Sequence, residues 1–274
     1  MKEITKSHVK LLLNVREKNS NKNDYGHALM IAGNKGKMGA AVIAATACLR
    51  SGVGLLTVCV PQEERFILQT CIPEAMLKMR ENNDYEIDKF SAIGIGPGIG
   101  IDKVSEEMFI YLLSHFNKPL LLDADILTII STNKKLLTQL PMHTIITPHY
   151  NEFDRVFGTH TNTDDRVKTA INKAKEYNII IVLKSSTTVI ATPTMVYYNS
   201  TGNAGLAKGG SGDALTGIIT SFLAQGYLPL NAALIGVYIH GLAADITLKT
   251  QSMESMLITD VIKNLGMAFK KTIL

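Results

Sequence analysis

Tryptophan is missing from this 274-residue chain, cysteine occurs only three times, and aromatic residues make up 6% of it. Each shortage excludes something. Cys48, Cys59 and Cys71 are an odd set without metal-ligand spacing, so neither a disulfide framework nor a zinc site is expected. Reduced thiols in a cytoplasmic protein are the expectation. Scarce aromatics and no sustained Lys/Arg run leave nothing that argues for nucleic acid as a partner. The net charge is only +4, which suits an anionic small molecule equally well. The most apolar stretch, residues 40–61, is broken by Arg50 and by the Ser51–Gly54 loop, so no membrane span is expected there. Residues 1–10 are charged and do not read as a signal peptide.

What is present is the material of a large core: 46% hydrophobic residues against 19% charged. Apolar runs that read as strands alternate with helical periodicities. Strands are expected at 25–33, 55–60, 91–95, 119–123, 144–147 and 179–183, and a hairpin at 187–198 that turns near Pro193. Helices are expected at 39–50, 101–116, 127–140, 152–157, 164–177, 213–224, 231–248 and 259–270. The strands are apolar almost throughout, which predicts a mostly parallel sheet covered by helices on both faces. No linker or composition shift divides the chain, so residues 1–274 read as one domain.

The most informative run is Lys208-Gly209-Gly210-Ser211-Gly212-Asp213, followed by the apolar spacing of Leu215, Ile218, Ile219, Phe222 and Leu223. Glycines can turn backbone N–H groups toward one point at the positive end of a helix dipole, where an anion such as phosphate is held. Gly210, Ser211 and Gly212 are the expected anion hole. A carboxylate beside a bound phosphate would repel it, so Asp213 reads as a general base. A plain glycine turn with a capping Asp is the alternative.

Other unusual loops fall where strands end, the rim on which open α/β sheets collect ligands. Ile95-Gly96-Pro97-Gly98-Ile99-Gly100 permits close backbone approach, although its spacing is not the dinucleotide fingerprint. Asp123-Ala124-Asp125 offers paired carboxylates for Mg²⁺, a ribose or a helix cap, with at least one read as structural. Thr147-Pro148-His149-Tyr150-Asn151-Glu152 presents an imidazole. Lys184 brings a cation to the rim, and Ser185, Ser186, Thr187 and Thr188 bring hydroxyls. His240, on an apolar helix, reads as a satisfied core histidine. No Ser-His-Asp order or Walker lysine is found.

In this order the motifs GNKGKMGAAVIAATACLRSGVGLLTVCVP, IGIGPGIG, LLDADIL, ITPHYNEF, VLKSSTTVIA, NSTGNAGLAKGGSGDALTGII and VYIHGLAAD resemble the ADP/ATP-dependent NAD(P)H-hydrate dehydratase family. The resemblance runs from about Tyr25 to Asp245. It implies a ribokinase-like three-layer α/β sandwich and a repair enzyme. NADH or NADPH hydrated at carbon 6 would be phosphorylated by ADP or ATP and then lose phosphate. It implies Ala40, Gly98, His149 and Asp213 as contacts to the hydrated coenzyme, and Lys184, Ser185, Ser186, Thr187, Thr188 and Gly212 as contacts to the nucleotide. Mg²⁺ is the expected cofactor, with its protein ligands unassigned. A homo-oligomer is expected, and, from the short stretch before Tyr25, an epimerase on a separate protein. Two departures stand out: Tyr150-Asn151 replaces the family's Pro-Gly, and Ser185 replaces a glycine. The alternative is a ribokinase-like kinase for a small alcohol or vitamin precursor, and beyond it a nucleotide-binding sensor without turnover.

Overall fold

The computed structural model describes residues 1–81 and 86–274. The described strands are β1 (Lys2–Glu3), β2 (His27–Ile31), β3 (Leu55–Val60), β4 (Met76–Met79), β5 (Ala92–Ile95), β6 (Leu120–Leu122), β7 (Ile145–Ile146), β8 (Ile180–Leu183), β9 (Val189–Ala191) and β10 (Val196–Tyr198). They form one sheet in the order β1-β10-β9-β8-β7-β6-β5-β2-β3-β4. From β8 to β4 every pairing is parallel; β9 runs antiparallel to both β8 and β10. The helices are α1 (Lys6–Leu12), α2 (Met38–Arg50), α3 (Arg65–Cys71), α4 (Lys103–His115), α5 (Asp125–Thr132), α6 (Tyr150–Phe157), α7 (Thr163–Tyr177), α8 (Ser211–Ala224), α9 (Pro229–Thr247), α10 (Ile258–Lys263) and α11 (Leu265–Ile273).

Strand β2 shows why its sequence is apolar at every position. Ala28 and Met30 point into one core with α2, α8 and α9, whereas Leu29 and Ile31 point into the other with α4 and α5. Successive side chains of a strand alternate faces, so a sheet covered on both sides has no polar positions to spare. This is the expected three-layer arrangement. Because β3 lies on one side of β2 and β5 on the other, the chain reverses its winding between β2 and β5, and a crevice opens there at the carboxyl rim.

Two predicted helices are each broken. The stretch 127–140 is α5 followed by a 3₁₀ turn, Lys134–Gln139, because Asn133 leaves helical torsions. The stretch 259–270 divides into α10 and α11 at Asn264, whose side chain donates to Thr247 Oγ1 at 2.9 Å. Helix α9 lies where a helix was expected, at 231–248. It is long and apolar enough to cross a membrane by composition, yet 72% of that window is buried inside the fold. Strand β4 and helix α3 carry no clear periodic signal and were not expected.

Helices α2 and α8 lie side by side because Gly217 lets their backbones touch. A Cβ placed there would stand 2.0 Å from the Ala44 carbonyl oxygen. Gly217→Ala therefore forces the helices apart in a close-packed core. A loss of about 1–3 kcal/mol is expected, measured as a lower urea midpoint with an unchanged m-value.

Candidate active site

Helix α8 begins at the carboxyl rim of the sheet, and its first turn is built by glycine. Gly210 is the residue before the helix, with φ of +93°, and a Cβ there would also meet Ile43 Cδ1 at 2.6 Å. A side chain there is strained by the torsion and has to displace the Ile43 methyl. Of the expected anion hole, the Ser211 N–H already donates to the Lys208 carbonyl at 3.3 Å. The N–H groups of Gly212 and Asp213 have no backbone acceptor among the described residues, as befits the first turn of a helix. Lys208 points away and donates to the carbonyls of Glu254 and Met256, so it is a brace for the loop.

Beneath this turn lies a buried ion pair. Lys184, at the end of β8, places Nζ 2.8 Å from Asp123 Oδ1 at the end of β6. Thr216 Oγ1, one turn into α8, donates to Asp123 Oδ2 at 2.9 Å. Asp123 is thereby occupied on both oxygens and is 1% exposed. Glu152 Oε2 lies 3.8 Å from the same ammonium. Burial alone would depress Lys184, but the charges of Asp123 and Glu152 outweigh it and hold the ammonium above its ordinary value. A Cβ on Gly212 would come within 3.1 Å of Lys184 Nζ and 3.4 Å of Asp123 Oδ2, so the glycine turn sits directly on the pair.

Asp213 occupies the first turn of α8 with its carboxyl largely buried. Burial first, then the neighbouring charges of Asp123, Asp125 and Glu152, push its pKa up from 3.8 to about 6; Lys184 opposes them. Three acids bear on this carboxyl, and all three are tied elsewhere, Asp123 to Lys184 and Thr216. Asp125 accepts from the Gly100 N–H at 2.9 Å and pairs with Lys37 at 3.7 Å. Glu152 accepts from the His149 N–H at 2.8 Å. Asp213 has no side-chain hydrogen bond among the described residues, and its raised pKa suits a group that takes up and releases a proton near neutrality.

The remaining predicted residues gather along the same rim. His149 caps α6: its Nδ1 accepts from the Glu152 N–H at 3.3 Å while its ring edge stays half exposed. The Lys184 N–H donates to the Pro148 carbonyl, which sets the 147–152 and 184–188 loops side by side. Ser185 Oγ donates to the Thr187 carbonyl and Thr188 Oγ1 to the Ser185 carbonyl, so the hydroxyl where the family has glycine is folded into its own loop. Ser186 and Thr187 are exposed. Tyr150 starts α6 without distorting it, its ring under the Arg166 guanidinium and its hydroxyl 3.2 Å from Thr163. Across the crevice, Gly98 faces Ala40: a Cβ on the glycine would lie 3.1 Å from the Ala40 methyl.

Three contributors carried no signal as single residues. Arg80, buried at the end of β4, donates to the carbonyls of Ala32, Gly33, Cys59 and Ile99, binding the crevice loops together. Asp245 accepts from the Gly202 N–H and from Asn203 Nδ2, clasping the loop before α8 to α9. Thr216 is the third. Only Asp245 had a legible cue, its place at the end of VYIHGLAAD. His240 needs a correction: it is buried as expected but not satisfied, since Nε2 has no hydrogen-bond partner among the described residues.

A family model described as NAD(P)H-hydrate dehydratase matches residues 28–266. The ADP-dependent (S)-NAD(P)H-hydrate dehydratase of Listeria monocytogenes is 35% identical over 256 residues, covering 91% of this chain and 90% of the relative. The bifunctional NAD(P)H-hydrate repair enzyme Nnr of Moorella thermoacetica is 35% identical over 263 residues, covering 90% of this chain. This chain spans about half the length of that bifunctional relative, 50% of it being matched. Among solved structures, the ADP/ATP-dependent NAD(P)H-hydrate dehydratase of Bacillus subtilis co-crystallized with ATP and Mg²⁺ superposes with a TM-score of 0.88 at 31% identity, covering 99% of this chain and 98% of that one. A ribokinase-like superfamily protein of Enterococcus faecalis gives a TM-score of 0.88 at 28% identity, covering 99% and 96%.

Burial, followed by the nearby Lys184 charge, lowers the His240 pKa from 6.5 to about 4. The folded protein thus resists a proton that the unfolded chain accepts, and stability is lost as pH falls from 6.5 toward 4, by up to about 3 kcal/mol. Urea unfolding at pH 7 and pH 4.5 measures it. His240→Leu is expected to lose less stability between the two pH values than the wild type.

Proposed function

The chain belongs to the NAD(P)H-hydrate dehydratase family, and from that premise we propose that it returns NADH or NADPH hydrated at carbon 6 to the usable coenzyme. The phosphoryl donor is ADP, giving AMP and phosphate, or ATP in its place. The observation that carries this reading is the placement of Asp213: a largely buried carboxyl of raised pKa, unpaired, beside the free N–H groups of an α8 first turn seated on Lys184 and Asp123.

The chemistry divides among these groups. Asp213 accepts the proton of the 6-hydroxyl as that oxygen attacks the terminal phosphorus of the donor, and the bond from phosphorus to the departing nucleotide breaks. The N–H groups of Gly212 and Asp213 donate to the oxygens on which charge develops. Loss of phosphate, together with a proton from the adjacent ring carbon, restores the double bond. Phosphate leaves far more readily than hydroxide, which is why a kinase-like site serves a dehydratase. The loop from Lys184 to Thr188 receives the nucleotide, with Gly212 at its phosphate end. Ala40, Gly98 and His149 receive the hydrated coenzyme.

No group of three metal-ligating side chains occurs among the described residues. The oxygens of Asp123 and one oxygen each of Asp125 and Glu152 are already engaged. This donor set fits an ion carried in on the nucleotide's own phosphates, the usual habit of Mg²⁺. When bound, Mg²⁺ supplies neutralisation of charge on the donor oxygens.

Two measurements test the reading. Incubation with hydrated NADH or NADPH, Mg²⁺ and ADP or ATP is expected to restore absorbance of the reduced coenzyme. No recovery with either nucleotide ends the proposal, and a persistent phosphorylated product would make the protein a kinase instead.

The second concerns Asp213→Asn. Turnover is expected to drop by about 10²–10⁴-fold, and wild-type kcat/KM to rise with pH through about 6 as Asp213 ionises. The raised pKa also means that ionising Asp213 costs stability, fully absent below 3.8 and fully felt above about 6. The Asn variant is therefore expected to be more stable than wild type at pH 8, by up to about 2 kcal/mol after allowance for solvent contact. A folded variant with normal turnover refutes the base assignment.

A further inference from the structure

A cavity of about 520 Å³ opens on the same rim, away from Asp213. Its walls come from the segments that follow β2, β3 and β4: Asn34 and Lys35, then Glu63, Glu64 and Arg65, then Glu81. It is a built feature. Asn34 Nδ2 donates to the Ile99 carbonyl at 2.8 Å, and the Gln62 N–H donates to Glu81 Oε2 at 2.9 Å. Arg80 fastens the β2, β3 and β5 ends beside it.

The sheet order gives the cavity its distance from the chemistry. Asp123, under the Asp213 turn, follows β6. The order from there is β5, β2, β3, β4, so the cavity lies two to four strands away, roughly 10–19 Å at the ordinary strand spacing. Between them lies the crevice at the β5/β2 reversal, the position where open α/β sheets take dinucleotides. Gly98 and Ala40 face each other across it.

On the proposed chemistry two ligands meet at Asp213. The phosphoryl donor occupies the side of Lys184 to Thr188, after β8. The nicotinamide ring must reach Asp213, so the rest of the hydrated coenzyme has to leave in the other direction, over β5 and β2. Resting on the dehydratase reading, we infer that this cavity receives the adenosine end of the hydrated dinucleotide and selects one with a free 2′-hydroxyl, so that hydrated NADH is preferred over hydrated NADPH.

The selection comes from charge. Glu63, Glu64 and Glu81 line the opening together with Lys35 and Arg65, an excess of one negative charge, with one Glu81 oxygen engaged by the Gln62 N–H. Arg65 is partly committed: its Nη1 donates to the Gln62 carbonyl at 2.7 Å and its guanidinium lies over the Phe66 ring. A carboxylate at such a strand end accepts from a ribose hydroxyl, whereas it repels a 2′-phosphate.

The test compares kcat/KM for the two hydrates. A wild-type preference of at least fivefold for hydrated NADH is expected, falling toward unity in the Glu63→Gln, Glu64→Gln, Glu81→Gln triple variant. A second variant, Gln62→Trp, fills the cavity from its exposed rim. It is expected to raise KM for hydrated NADH at least tenfold relative to KM for hydrated nicotinamide mononucleotide, which lacks the adenosine. Equal use of the two hydrates by wild type and triple variant alike overturns the inference, as does a Gln62→Trp effect that is the same for dinucleotide and mononucleotide. Either result leaves the dehydratase reading standing. Loss of that reading shows separately, as no turnover of either hydrate. Fluorescence titration with NADH and NADPH then tests the cavity without turnover, and equal affinities overturn the inference.

Discussion

The ion pair between Lys184 and Asp123 holds the site together. Its partners come from strands separated in the sheet only by β7, and a third element, α8, is fastened to it through Thr216. Breaking such a buried pair by removing one partner is costly, because the survivor is left charged in a medium that cannot solvate it. The same pair sets the two neighbouring acids apart. Asp123 has spent both oxygens on Lys184 and Thr216, and its fixed negative charge works against ionisation of Asp213. One carboxylate is thus committed to structure, while its neighbour is left without a hydrogen-bond partner among the described residues.

The sheet assigns the two sides of this pair different work. Toward β8 and β9 the rim carries hydroxyls and backbone polar groups suited to nucleotide phosphates. Toward β5 and β2 it carries a glycine-lined crevice. The antiparallel hairpin of β9 and β10 ends in the segment that Asp245 clasps to α9, and that segment runs directly into the glycine turn. Hairpin, clasp and turn are consecutive in the chain, so Asp213 is delivered to the rim by a strap anchored at both ends.

Much of this was legible in the sequence, for identifiable reasons. Strand β3 was read at its observed bounds because Leu55 to Val60 is unbroken and closed by Pro61. The glycine turn was legible because Gly210 and Gly212 do things other residues cannot. Where the reading fell short, the cause was tertiary. Asn133 and Asn264 interrupt apolar periodicities that continue past them, so a pattern-based reading runs through the break. Arg80 reads as an ordinary surface cation until the fold surrounds it with carbonyls from three strands. His240 was placed correctly in the core, yet no pattern indicates whether a buried imidazole finds a partner. The roles of Asp123 and Asp125 were left open for the same reason: they stand two residues apart, but one faces Lys184 and the other the Gly100 amide.

The contact of Gly217 with Ala44 has a geometric corollary. Ala40 lies one helical turn before Ala44, and Asp213 one turn before Gly217. Both helices therefore project between one and two turns beyond this contact and arrive at the rim as the two jaws of a caliper, with Asp213 near one tip and Ala40 near the other. The gap between the tips is set by a missing methyl group at the pivot. Altering that pivot would widen or narrow the space between Asp213 and Ala40 without changing either residue.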